Sequence, residues 1–414
     1  MGVCTVEDEK NRPKFRKIFN NEECKNSDLE NSKLSRKKSF NNNIIDISLN
    51  SKKTIIKLIG EIKSKPIKIK SNIDCKILIM ENSSSITIEN CKNCSILLAP
   101  CASTIAVENC ENLNLICASL NIKLINVKKG NIYLFSMNPV IIEDCENIYL
   151  GNFFFQYMEL PEMFINSKLN IWNNKWSIYE EEGKNKNINY SNDFIKQGII
   201  DIFRPTFNEC YINFDQYQFM PYTYGKSLKK NNIDEQNINY TNFMILIKQE
   251  DFQESELLKI LLPDELENYN MKLIATLGVG EKSEKIKEFI KKLELNKNNN
   301  SLINYILTKS PKDGLFESFQ SSVLKSSTNK SRLNEIDLSN NEYMNINYKF
   351  LRNDDILFLW LVNCDEDFND IKTYFNNFFE PIKIDIITKE TFGWNENEFE
   401  KYLNSFFEFE KNDY

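Results

Sequence analysis

Two cysteines separated by two residues, Cys91 and Cys94 in "CKNC", form the one spacing in this chain that fits a metal site or a redox disulfide. A structural zinc site needs four ligands, from a second such pair or from histidines. No second pair occurs, and the 414 residues contain no histidine. That absence also removes Ser-His and Cys-His nucleophile pairs and any phosphohistidine step. "LGVGEKSEK" (277–285) approaches a phosphate-binding loop, but Glu281 separates Gly280 from Lys282, so the required G-x-x-x-x-G-K-S spacing fails. A turn before a helix is the reading there. The remaining candidate is Lys123, in "CASLNIKLINVKK" (117–129). Strand alternation puts Ile122 and Leu124 on one face and Lys123 alone on the other. It is either a solvated charge or a cation shown to a partner.

The elements that must position these residues come from an internal repeat. "IKIKSN" (67–72), "ITIENC" (86–91), "IAVENC" (105–110), "IKLINV" (122–127) and "VIIEDC" (140–145) align, with last residues 72, 91, 110, 127 and 145, hence spacings of 19, 19, 17 and 18. Each unit continues into a short second strand such as "CKILIM" or "GNIYLF", and residues 44–60 read as a degenerate opening coil. Units this short bury an apolar face only by stacking on their neighbours, which predicts a parallel β-helix. Ile67, Ile69, Ile86, Ile88, Ile105, Val107, Ile122, Leu124, Val140 and Ile142 are expected inside. Lys68, Thr87, Ala106, Lys123 and Ile141 form the outward stripe, a candidate docking surface. Cys91, Cys110 and Cys145 share one repeat position, as a ladder of small core residues would. The stripe lacks the acidic pair of a carbohydrate-active β-helix enzyme.

Bulk properties narrow the class. A net charge of −7, from 52 basic and 59 acidic residues, argues against nucleic acid as a partner. No window reaches the ~18–20 apolar residues of a membrane span, and the polar start is unlike a secretory leader. The 11 cysteines are therefore expected to be reduced thiols. The abundance of Asn and Lys reads as compositional bias.

From about residue 240 strands and helices alternate. "NFMILIKQ" (242–249), "MKLIATLG" (271–278), "DDILFLWLV" (354–362) and "IKIDIIT" (382–388) read as strands. Residues 281–295, 365–379 and 395–409 read as helices, and 308–332 as a loop. The expected organisation is a flexible arm (1–41), a β-helix domain (42–180), a linker and packing segment (181–239) and an α/β domain (240–414). "MGVC" places Gly2 for myristoylation and Cys4 for palmitoylation, two chains being what stable anchoring takes. The basic run "SRKKS" (35–39) would add attraction to anionic lipid.

The coils "NIDCKILIMENSSSITIENCKNCSILLAP" and "AVENCENLNLICASLNIKL", followed by "IIEDCENIYLGNFFFQYMEL" and "LNIWNNKWS", resemble the tubulin cofactor C-like β-helix family, and within it the retinitis pigmentosa 2 protein family. The resemblance implies a mainly β fold, an N-terminal parallel β-helix, followed by a ferredoxin-like, nucleoside-diphosphate-kinase-like α/β domain. Kinase activity is excluded for want of a histidine. It implies binding of a GTP-loaded Arf-like small GTPase, as effector or weak GTPase activator, with no cofactor. It places the arginine-finger position on Lys123, the preceding glutamine pair on Leu120 and Asn121, and a GTPase-contacting glutamate on Glu143. It further implies dual acylation at Gly2 and Cys4 and a location on the cytoplasmic face of membranes, in lipidated-cargo trafficking near a cilium or flagellum. The alternative is a cofactor C-type protein acting on the tubulin chaperone complex.

Overall fold

The computed structural model describes residues 44–210, 219–225, 240–249, 252–295, 349–364, 373, 375 and 384–407. Gly2, Cys4, the arm to residue 41, the basic run, the loop at 308–332 and nearly all of the helix expected over 365–379 lie outside the described residues.

The repeats form a parallel β-solenoid whose strands make one thirteen-stranded sheet wrapped into two ladders. In chain order the strands are β1 (Ile45–Ser48), β2 (Thr54–Lys57), β3 (Ile67–Lys70), β4 (Lys76–Ile79), β5 (Ile86–Glu89), β6 (Ser95–Leu98), β7 (Cys101–Glu108), β8 (Glu111–Ile125), β9 (Lys128–Ser136), β10 (Val140–Glu143), β11 (Glu146–Asn152), β12 (Tyr179–Glu182) and β13 (Lys186–Tyr190). The first ladder runs β1, β3, β5, β7, the end of β8, β10 and β12. The second runs β2, β4, β6, the start of β8, β9, β11 and β13. All ten residues expected inside are buried. The stack continues to Tyr190, so the expected boundary at 180 falls inside β12.

The two ladders differ in pattern, and the difference decides which face is covered. On the first, β3 reads Ile-Lys-Ile-Lys and β5 Ile-Thr-Ile-Glu, buried only at alternate positions. On the second, Ser-Ile-Leu-Leu in β6 is buried throughout. A strand apolar on both sides must be covered on both. The cover comes from α1 (Leu160–Asn166), from α2 (Asp193–Glu209) and from the C-terminal domain, whose buried side chains join Leu78, Leu97, Ile116 and Tyr133 in one apolar cluster. Helix α2, within a stretch expected to be linker, is started by Asn192, whose side chain accepts from the Ile195 N–H at 3.0 Å.

The C-terminal domain contains β14 (Thr241–Lys248), α3 (Glu254–Ile260), α4 (Pro263–Glu267), β15 (Met271–Gly280), α5 (Glu284–Leu295), β16 (Asp355–Asn363), β17 (Ile384–Ile387), α6 (Lys389–Phe392) and α7 (Glu396–Phe407). Its strands pair antiparallel in the order β15-β16-β14-β17, the ferredoxin-like arrangement. One sheet face joins the cluster over the solenoid; the other packs against α5, α6 and α7. "LGVGEKSEK" ends β15 and turns into α5, where the Ser283 hydroxyl accepts from the Ile286 N–H at 3.3 Å.

Candidate docking site

The coil corners explain how the outward stripe is held. Each repeat turns at a residue in the left-handed region: Asn90 (φ 53°), Asn109 (54°), Asn126 (48°) and Asp144 (52°) at one corner, Asp74 (53°), Asn93 (53°), Asn112 (54°) and Asn147 (56°) at the other. Asn and Asp tolerate this backbone better than other L-residues. Their side chains also bond up the stack: the Asn93 amide donates to Asp74 at 2.9 Å, Asn112 to Asn93 at 3.0 Å and Asn126 to Asn109 at 2.7 Å. The asparagines at these places therefore have a stereochemical cause, which compositional bias does not supply.

The same geometry accounts for "CKNC". Asn90 and Asn93 are successive corners, so Cys91 and Cys94 both point inward and are fully buried. Their thiols donate to backbone carbonyls, Cys91 to Glu89 at 3.5 Å and Cys94 to Asn72 at 3.3 Å. Burial pushes the Cys101, Cys117 and Cys145 thiols up, whereas hydrogen bonds from Cys110 and Cys94 lower the Cys91 thiol. Such cysteines are packing residues. Among the described residues no group of three or more His, Cys, Asp or Glu is arranged to hold a metal ion, and no helix is long and apolar enough to cross a membrane.

On the first ladder's outer face Lys123 lies between Ala106 of β7 and Ile141 of β10. Neither neighbour competes for its charge, and its ammonium reaches along β10 to Glu143, Nζ to Oε2 3.4 Å, with 35% and 34% of the two side chains exposed. Glu143 belongs to a register row shared by Glu89, Glu108, Ile125 and Glu182. At the far end Lys68 and Lys70 pair with Glu89 at 3.1 and 3.5 Å, and the Lys68 ammonium holds that carboxyl below the usual carboxylate range. The face is a half-exposed lattice of opposed charges, left open by the other described residues.

The four positions singled out on the coil have different fates. Lys123 and Glu143 meet. Asn121 is close by on β8, but its side-chain oxygen accepts from the Asn138 amide at 2.7 Å, inside another stacked ladder. Leu120 packs against the large apolar cluster. Beside Lys123, then, Leu120 offers an apolar side chain with no donor, and Asn121 offers an amide whose oxygen is already engaged.

The solenoid is clamped to the C-terminal domain through "LNIWNNKWS". The Trp172 indole donates to the buried Glu254 carboxylate at 3.2 Å, and Glu254 also accepts from the Leu351 N–H at 2.8 Å. Thr276 donates to the Trp172 carbonyl at 2.8 Å, and the Asn173 side chain accepts from Gly278 N–H at 2.9 Å on the edge strand β15. Trp176 donates to Thr223 at 2.9 Å. Burial pushes the Glu254 carboxyl above its ordinary range, against the lowering effect of its donors. The polar residues around Trp172 are the sequence signal for this clamp; the partner carboxylate, 82 residues away, gives none.

A parallel solenoid with this repeat is similar to the cofactor C-like β-helix. Residues 64–180 match the family model described as tubulin binding cofactor C, a span from just before β3 into β12 that includes Lys123 and Glu143. No curated protein matches the chain.

Proposed function

We propose that this chain is a cofactor C-type docking protein, whose first-ladder face seats on tubulin or a tubulin-bearing complex. The observation that carries the reading is the family match over 64–180, which spans the coils presenting Lys123 and Glu143. Charges paired this loosely cost little to re-pair with a partner. Lys123 then contributes recognition. It is a point charge without the planar bidentate fork of arginine, and Glu143 already neutralises it. The test is binding of αβ-tubulin by wild type, Lys123→Glu and Glu143→Lys, read by gel filtration and anisotropy. Binding by wild type, weakened in both variants, is the expected result; no complex with any of them would sink the reading.

A GTP-loaded Arf-like GTPase is the second reading, favoured by the ferredoxin-like domain behind the solenoid. The same face would meet it, and the protein would act as effector, not as an efficient activator, since a true finger supplies ~10³–10⁵ in rate. Single-turnover GTP hydrolysis with wild type, Lys123→Ala and Lys123→Arg separates the cases: acceleration by the Arg variant alone marks an effector that lacks its finger. Acylation at Gly2 and Cys4 would hold the protein on the cytoplasmic face of membranes, in trafficking near a cilium or flagellum. Fractionation of Gly2→Ala tests that anchor independently of the docking face.

A further inference from the structure

Where the last coil, α2 and α4 come together, a cleft of about 370 Å³ opens. Its lining mixes rings with carboxylates: Phe154, Tyr222 and Tyr224 beside Asp193, Asp264 and Glu267. Lys196 of α2 lies between two of the rings, its Nζ 5.2 Å from the centroid of Phe154 and 5.1 Å from that of Tyr222. Both distances are inside the ~6 Å reach of cation–π attraction. Lys272 stacks on the Tyr224 ring in the same way, at 5.0 Å. The cleft is thus built to hold alkylammonium groups, and among the described residues of its lining three carboxylates, Asp193, Asp264 and Glu267, face one lysine, Lys196. An anion would meet three like charges there. Beside Asp193 on α2, Phe194 is 87% exposed, a large apolar ring left open by the other described residues.

We propose that this cleft docks a basic segment of a partner protein. A lysine or arginine of that segment lies against the rings and the carboxylates of Asp264 and Glu267, and a neighbouring apolar residue covers Phe194. Lys196 occupies the cage in the free protein, so guest and resident lysine compete. This surface is separate from the Lys123–Glu143 face and does not depend on what that face binds.

The probe is a fluorescein-labelled hexapeptide of alternating lysine and leucine, with its lysine-acetylated counterpart as the neutral control and a glutamate-leucine hexapeptide as the anionic one. Anisotropy should show salt-sensitive binding of the lysine peptide by the full chain and of neither control. Asp264→Asn with Glu267→Gln should weaken it by about tenfold, Tyr222→Leu by about fivefold, and Phe194→Ser should weaken it less. Lys196→Met should tighten it, because the competing positive charge is removed from between the rings; a merely structural role for Lys196 would not give that sign. Thermal melts of each variant show that it is folded. Equal binding of the acetylated peptide, or binding of the glutamate peptide that is lost in Lys196→Met, overturns the proposal.

Discussion

Lys123 and Glu143 are joined across neighbouring coils by an ion pair of 3.4 Å, on a sheet face that the other described residues leave open. They sit on β8 and β10, where Ile141, not Glu143, is the direct register partner of Lys123, so the contact is diagonal. A half-exposed pair contributes about 0–1 kcal/mol to stability. Glu143→Gln and Lys123→Ala should therefore melt close to wild type. The charge swap Lys123→Glu with Glu143→Lys should restore the pair and the melting temperature but leave partner binding impaired, because the partner meets the charges in reverse order. Full recovery of binding in the swap would show that the face is recognised by shape alone.

The corner stacks predict an unusual rank of substitutions. Asn109 has φ 54° and its side-chain oxygen accepts from Asn126. Asn109→Val puts a β-branched residue into the left-handed region and should cost about 1–2 kcal/mol from backbone alone. Asn109→Gly, which removes more atoms, should cost less. Urea denaturation of the two variants decides it; the reverse order would mean that packing, not backbone conformation, governs the corner.

Asn72 caps the inner corner column. It is fully buried, donates to the Ile47 carbonyl at 2.8 Å and accepts from the Asn50 N–H at 3.0 Å. Asn72→Leu should cost about 1–3 kcal/mol for each backbone group left unpaired. Asn72→Cys, the residue found at the matching place in the next coils, should be milder. Both changes are readable as shifts in the urea midpoint.

The buried thiols should behave as core atoms. Cys91, Cys94, Cys110 and Cys145 should react with a thiol reagent only as fast as the solenoid opens, and a zinc chelator should leave the melting temperature unchanged. A fall in melting temperature with chelator would restore the metal reading of "CKNC".

Glu254 predicts a pH dependence of known sign. Burial raises its carboxyl pKa in the folded protein. Between the ordinary carboxylate range and that raised value, the folded state binds more protons than the unfolded chain. Its contribution therefore makes stability fall as the pH climbs through that window and level off above it. In Glu254→Gln this component should vanish from the pH profile of the denaturation midpoint, while the loss of the charged acceptor for Trp172 and Leu351 lowers stability overall. An unchanged profile would place the ionisation elsewhere.

How much was legible follows from the range of the forces. The solenoid, its inward residues and the outward place of Lys123 were set by the sequence, because a period of 17–19 residues and a two-residue alternation are local patterns that only one stacking satisfies. Helix α2 left a weaker trace, a single capping asparagine at 192. Only the tertiary structure decided what meets what. It paired Lys123 with Glu143 by the register of one coil on the next. It turned Leu120 into the core, bound Asn121 into a ladder, brought Glu254 to Trp172, and set Lys196 between Phe154 and Tyr222. The Trp172–Glu254 contact and the seat of Lys196 between Phe154 and Tyr222 join segments with no periodic relation to one another, so no local pattern encodes them.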